Sequence, residues 1–98
     1  MPNREQIIDI LKTIEDPDLL LDIWFLGLIY EIEIDEQNNV VEITMTFTSP
    51  SCPAGPSLVS EIKEKVGALS GVKSVNVKIT FDPPWQANDE LKGLLGIL

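Results

Sequence analysis

Apolar and polar residues alternate one for one along Val41-Glu42-Ile43-Thr44-Met45-Thr46-Phe47-Thr48, the period of a strand with one buried face. After a short break the period lengthens, and Leu58, Ile62, Val66 and Leu69 recur at helical spacing. The rest of the chain reads in the same two periods. Ile7, Ile8, Leu11 and Ile14 form one apolar stripe, so a helix is expected from residue 4 to about 15. Asn3 is its N-cap and Gln6 the partner in a capping box. Asp16-Pro17 stops it, because the residue before proline is pushed out of the α region. Residues 28–35 read as a strand with Leu28, Tyr30, Ile32 and Ile34 on one face and Ile29, Glu31 and Glu33 on the other. Gln37-Asn38-Asn39 supplies a turn into the strand at 41–48, making an antiparallel hairpin. The second helix is expected to begin at Pro53 or Ser57 and to end at Leu69, with a left-handed cap at Gly71. A third strand over 73–81 places Val75, Val77, Ile79 and Phe81 on one face.

The order is therefore α-β-β-α-β. The strand–helix–strand unit crosses over right-handedly and pairs its two strands in parallel. The expected fold is an α+β two-layer sandwich, a three-stranded mixed sheet with both helices on one face. Residues 1–98 are expected to form a single domain, with 82–98 as a loosely packed tail. Within that tail Leu91, Leu94, Leu95 and Leu98 suit a short helix weakened by Gly93 and Gly96. The connection 16–28 is unusual for a loop, since Asp16, Asp18 and Asp22 alternate with Leu19-Leu20-Leu21 and Ile23-Trp24-Phe25-Leu26.

A net charge of −9 argues against sequence-independent nucleic-acid binding, which needs clustered Lys and Arg. The seven basic residues are scattered. The most apolar run, residues 19–30, contains Asp22 and is far shorter than the ~20 residues of a membrane span. No secretory pattern precedes the first helix, and one cysteine makes no internal disulfide, so the cytoplasm is the expected location.

That cysteine, Cys52, falls between the second strand and the second helix, in Thr48-Ser49-Pro50-Ser51-Cys52-Pro53-Ala54-Gly55-Pro56-Ser57. A thiol ahead of a helix amino end favours the thiolate, the form that attacks electrophiles and binds soft metals. The chain has no histidine, so a Cys-His dyad within one subunit is excluded, and there is no second cysteine for a redox pair. A thiolate sharing a soft metal or cluster with ligands from another molecule remains, beside the plainer reading of a small buried hydrophobe. Thr48 is placed to donate a hydrogen bond to the thiolate, or is simply a residue suited to a strand. Asp16, Asp18 and Asp22 lack the full calcium-loop pattern and fit turn caps better, with Asp22 capping a helical turn through Ile23-Trp24-Phe25. Trp24 and Trp85 are candidates for an interface, Trp85 following Pro83-Pro84 at the end of the last strand.

Three stretches together resemble the small metal–sulfur cluster assembly family that includes the SufT and PaaD proteins and the cytosolic iron–sulfur targeting factors. They are Asp16-Pro17-Asp18 running into Asp22-Ile23 and Leu26-Gly27-Leu28-Ile29-Tyr30; Thr46-Phe47-Thr48-Ser49-Pro50-Ser51-Cys52-Pro53; and Gly71-Val72 through Val75 and Val77 to Pro84-Trp85. The resemblance implies a compact α+β domain that helps build iron–sulfur clusters or deliver them to apo-proteins. It makes Cys52 the key reactive residue and sets Thr48 and Asp16 near its thiol. PaaD-type members carry a cysteine-rich C-terminal extension that is not found here, and some relatives are fused to further domains.

The leading expectation is an accessory or carrier factor, not an enzyme. One thiolate cannot complete a cluster that usually takes four protein ligands. Any cluster is then transient and bridged between molecules, across a homodimer or with a partner, and none is held stably by the monomer. The expected partners are the assembly machinery and apo-protein clients, with neither nucleic acid nor membrane. The competing expectation is a non-catalytic interaction subunit or adaptor that uses the 19–28 segment and Trp85, with Cys52 incidental. A thiol enzyme is the third class and lacks both histidine and a second cysteine.

Overall fold

A computed structural model describes residues 2–17, 19–48, 55–86 and 93. Its five elements are α1 (Arg4–Leu11), β1 (Ile29–Asp35), β2 (Val40–Met45), α2 (Gly55–Gly67) and β3 (Ser74–Ile79). The alternation in β2 buries Val41, Ile43 and Met45 completely and leaves Glu42 exposed. β2 is central, antiparallel to β1 and parallel to β3. The register brings Ile34, Val41 and Val75 into one row across the sheet, and Ile32, Ile43 and Val77 into the next.

The opposite layer comes from the helical stripes. Ile7 and Leu11 of α1 and Leu58, Ile62 and Val66 of α2 join the sheet residues in one core. Full burial of each such side chain contributes roughly 1.5–3 kcal/mol. The order and layering are those expected of the α+β sandwich: a mixed three-stranded sheet with its apolar face under two helices.

α1 starts as its sequence dictates. The Asn3 side chain accepts from the Gln6 N–H, and the Gln6 side chain accepts from the Asn3 N–H. It ends earlier than the apolar stripe suggests, at Leu11. The Thr13 hydroxyl donates to the Ile10 carbonyl at 2.6 Å, and the N–H groups of Thr13 and Ile14 bond three residues back, so the chain tightens out of the α-helix. Ile14 nevertheless stays fully buried.

β1 departs from simple alternation. Ile29 pairs with Met45, but Glu31 pairs with Thr44, so Tyr30 is an extra residue at a bulge. Ile29 therefore lies with Met45 and packs on the core, not with Glu31 and Glu33 as the alternation implied. The outer face carries Glu31, Glu33 and Glu42, with Glu33 directly across from Glu42. A hydrogen bond with Glu31 and the charge of Glu31, reinforced by that of Glu42, hold the Glu33 carboxyl above the usual glutamate range.

The hairpin turns through Asn39 at φ 56°, the positive φ that Asn tolerates. Asp35 accepts from the N–H groups of Gln37 and Asn38, and the Asn38 side chain and backbone keep the Asp35 carboxyl below its ordinary value. After α2, Gly71 adopts φ 89° in a turn closed by the Val72 N–H on the Leu69 carbonyl. The left-handed glycine is thus present, several residues past the last helical residue. The Lys73 N–H bonds the Asn39 carbonyl at 2.7 Å, tying the entry to β3 to the hairpin turn.

Candidate functional site

The two parallel strands end on the same side of the molecule, and α2 begins there, since it follows β2. In open sheets of this kind the carboxyl ends of parallel strands are the usual place for a site. Three segments converge on that end. The Thr46 N–H donates to the Leu28 carbonyl at 2.8 Å, the Leu28 N–H to Ile23, and the Ile23 N–H to Ile14. This relay fastens the whole 14–28 connection to the exit of β2. Residues 80–86, after β3, form the third segment.

Asp16 is almost fully buried. Its Oδ1 accepts from the Leu19 N–H at 3.2 Å, its own N–H donates to Leu21, and its carbonyl accepts from Leu20. It therefore caps a tight turn, as read from its sequence. Asp22 accepts from the Phe25 N–H at 2.7 Å and caps the helical turn that follows. Thr46 is fully buried, while Thr48 is half-buried at the last described position before the 49–54 segment. Cys52 and Asp18 lie outside the described residues. In sequence, Cys52 stands between Thr48 and Gly55, the first residue of α2. The fold thus brings the Asp16 turn, Thr48 and the start of α2 to one end of the sheet.

The two tryptophans are both half-buried against the core. Trp24 lies along the outside of α1, with the Arg4 guanidinium 5.8 Å from its ring centroid. The Trp85 indole N–H donates to the Leu26 carbonyl, and the Tyr30 hydroxyl donates to the Pro83 carbonyl at 2.8 Å. Residues 81–86 are thereby strapped across the end of the sheet, from β3 toward the approach to β1.

An aromatic contact that the sequence did not single out adjoins the same end. Phe47 packs on Gly55 and meets Phe81 at 6.2 Å between ring centroids, tilted by 60°. Its signals in the sequence were a large apolar residue continuing the β2 alternation and a place in the 46–53 stretch that carries the resemblance. Among the described residues no group of three or more His, Cys, Asp or Glu side chains is arranged to hold a metal ion. No described helix is long and apolar enough to cross a membrane.

The mixed three-stranded sheet under two helices, with one cysteine in sequence between β2 and its crossover helix, defines a small single-thiol α+β domain. Residues 4–79, from the first residue of α1 to the last of β3, match the family model of the iron–sulfur cluster assembly protein. The chain belongs to the iron–sulfur cluster assembly protein family. It is 42% identical over 82 residues to the Fe-S protein maturation auxiliary factor YitW of Bacillus subtilis, covering 84% of this chain and 79% of that protein. It is 35% identical over 85 residues to an Fe-S protein maturation auxiliary factor of Porphyromonas gingivalis, covering 87% and 80%. A solved structure of a conserved hypothetical protein from Thermotoga maritima superposes with a TM-score of 0.83 at 39% identity, over 98% of this chain and 96% of that one.

Proposed function

We propose that the protein is an accessory factor in iron–sulfur cluster maturation, assembling clusters or passing them to apo-proteins, with Cys52 as a shared thiolate ligand. The observation that carries this reading is the family match from α1 to β3, with the single cysteine between the end of β2 and the start of α2. The related maturation factors of B. subtilis and P. gingivalis support the accessory role.

The cluster is cargo. Cys52 contributes one sulfur, and the remaining coordination comes from another molecule, a second copy of this chain or a client, because a cluster usually takes four protein ligands. On this reading Thr48 and Asp16 support the thiol from the same end of the sheet. Trp24 and Trp85 offer their remaining exposed ring surface to the assembly machinery. Handing the cluster on is ligand exchange at iron: the bond from iron to the Cys52 thiolate breaks as a bond from iron to a thiolate of the recipient forms, so the role is transfer. The cytoplasm, where thiols stay reduced, is the compartment that suits this role.

Anaerobic reconstitution with iron and sulfide tests the reading. The wild-type protein is expected to give a labile visible-absorbing species that Cys52→Ala lacks. Equal reconstitution of the two proteins would remove Cys52 as a ligand.

A further inference from the structure

The ring of Phe47 occupies space that any side chain at position 55 would need. A Cβ built on Gly55 would lie 2.7 Å from Phe47 Cε2 and 2.8 Å from Cζ, inside van der Waals contact. Gly55 opens α2, where the interior preference for Ala over Gly does not decide the residue, and the clash with the Phe47 ring gives glycine its reason here. Gly55 is buried, and Phe81 at the exit of β3 meets the same ring at 6.2 Å. One aromatic side chain therefore joins the exit of β2, the first turn of α2 and the exit of β3.

We infer that Phe47 is a positioning residue. Seated on the bare backbone of Gly55, it sets the distance and direction between the end of β2 and the start of α2, the two ends between which Cys52 lies in sequence. Phe47 acts on the thiol only through the backbone it holds. By holding the two described ends of the 49–54 segment, it constrains the setting of the thiol which that segment carries, and thiolate character depends on that setting.

The test is the rate of Cys52 alkylation by iodoacetamide across pH, measured on the full chain, with circular dichroism as the check of folding. Gly55→Ala is expected to displace the ring, move the midpoint of the pH profile and change the neutral-pH rate by about threefold or more. Adding Phe47→Leu removes the two clashing ring carbons and is expected to return the profile toward wild type. Phe47→Leu alone leaves a gap over Gly55 and is expected to move the profile by a similar factor, so the two single changes offset each other. A wild-type profile for Gly55→Ala overturns the inference. Should Gly55→Ala not fold, Phe47→Leu carries the decision, and an unchanged profile in that variant overturns it. The inference rests on the proposed role of Cys52 for its biological meaning only. Alkylation reports the thiol's setting, and reconstitution of Cys52→Ala reports its use as a ligand, so the two fail separately.

Discussion

Leu20 is the residue whose backbone runs most against its chemistry. It has φ 57° and its side chain is 69% exposed, so an L-residue sits in the left-handed region without burial in return. That conformation costs roughly 1–2 kcal/mol for a residue with a Cβ. The turn imposes it: the Leu20 N–H bonds the Asp16 carbonyl at 2.7 Å while the Asp16 N–H bonds Leu21. Leu20→Gly is expected to stabilise the fold by about 0.5–1 kcal/mol after glycine's greater unfolded-state entropy, seen as a melting temperature higher by a few degrees. A lower melting temperature would mean that contacts of the leucine side chain outweigh the backbone cost. Asp16→Ala should act in the opposite sense, by about 1 kcal/mol or more in urea denaturation, because the Leu19 N–H loses its acceptor. The capping roles of Asp16 and Asp22 were legible in the sequence because a short acceptor side chain before a proline or a helical turn has few other uses. The handedness of Leu20 was not, since hydropathy carries no trace of φ.

At the scale of elements, the outer sheet face is the least comfortable part of the fold. Glu33 and Glu42 are a directly opposed like-charge pair, a destabilising arrangement, with Glu31 on the same strand. Because the folded chain raises the Glu33 pKa, it binds that proton more tightly than the unfolded chain does. Stability therefore falls as pH rises from the ordinary glutamate value through the raised one. Asp35 has the reverse sign: its lowered pKa adds stability above the ordinary aspartate value, lost as pH falls through the lowered one. Glu33→Gln is expected to raise the melting temperature at neutral pH and to make little difference below about pH 4. An equal gain at both pH values would show that charge is not the cause. The strands and helices were legible because each keeps a single period over its buried face. The bulge at Tyr30 was not, since Leu28, Tyr30, Ile32 and Ile34 alternate without a break and only pairing with Met45 and Thr44 exposes the extra residue.

For the whole molecule, the strap of residues 81–86 links the last strand to the connection ahead of the first. Trp85→Ala removes a half-buried ring and the hydrogen bond to the Leu26 carbonyl. It is expected to cost about 2–3 kcal/mol, less than truncation of a fully buried tryptophan, measured by chemical denaturation. A loss of cluster transfer with unchanged stability would instead mark Trp85 as a contact for a partner. Cys52 between a strand and a helix pointed to this end of the sheet, though Cys52 itself lies outside the described residues, and the contacts found there were not legible. Phe47 and Gly55 are joined by the return of the chain, and Phe81 reaches them from the far end of the sequence, a proximity that no local pattern encodes.

The course of the chain sets two surfaces apart. Pro2, Asn3 and Arg4 line a groove with residues 34–37 beside the hairpin turn, whereas residue 86 leaves from the strap at the opposite end. The six residues of β2 separate the two by roughly 20 Å. A partner that grips the strap therefore stands at the end of the sheet where β2 and β3 leave off. One that settles in the groove beside the hairpin turn is the length of the sheet away from it.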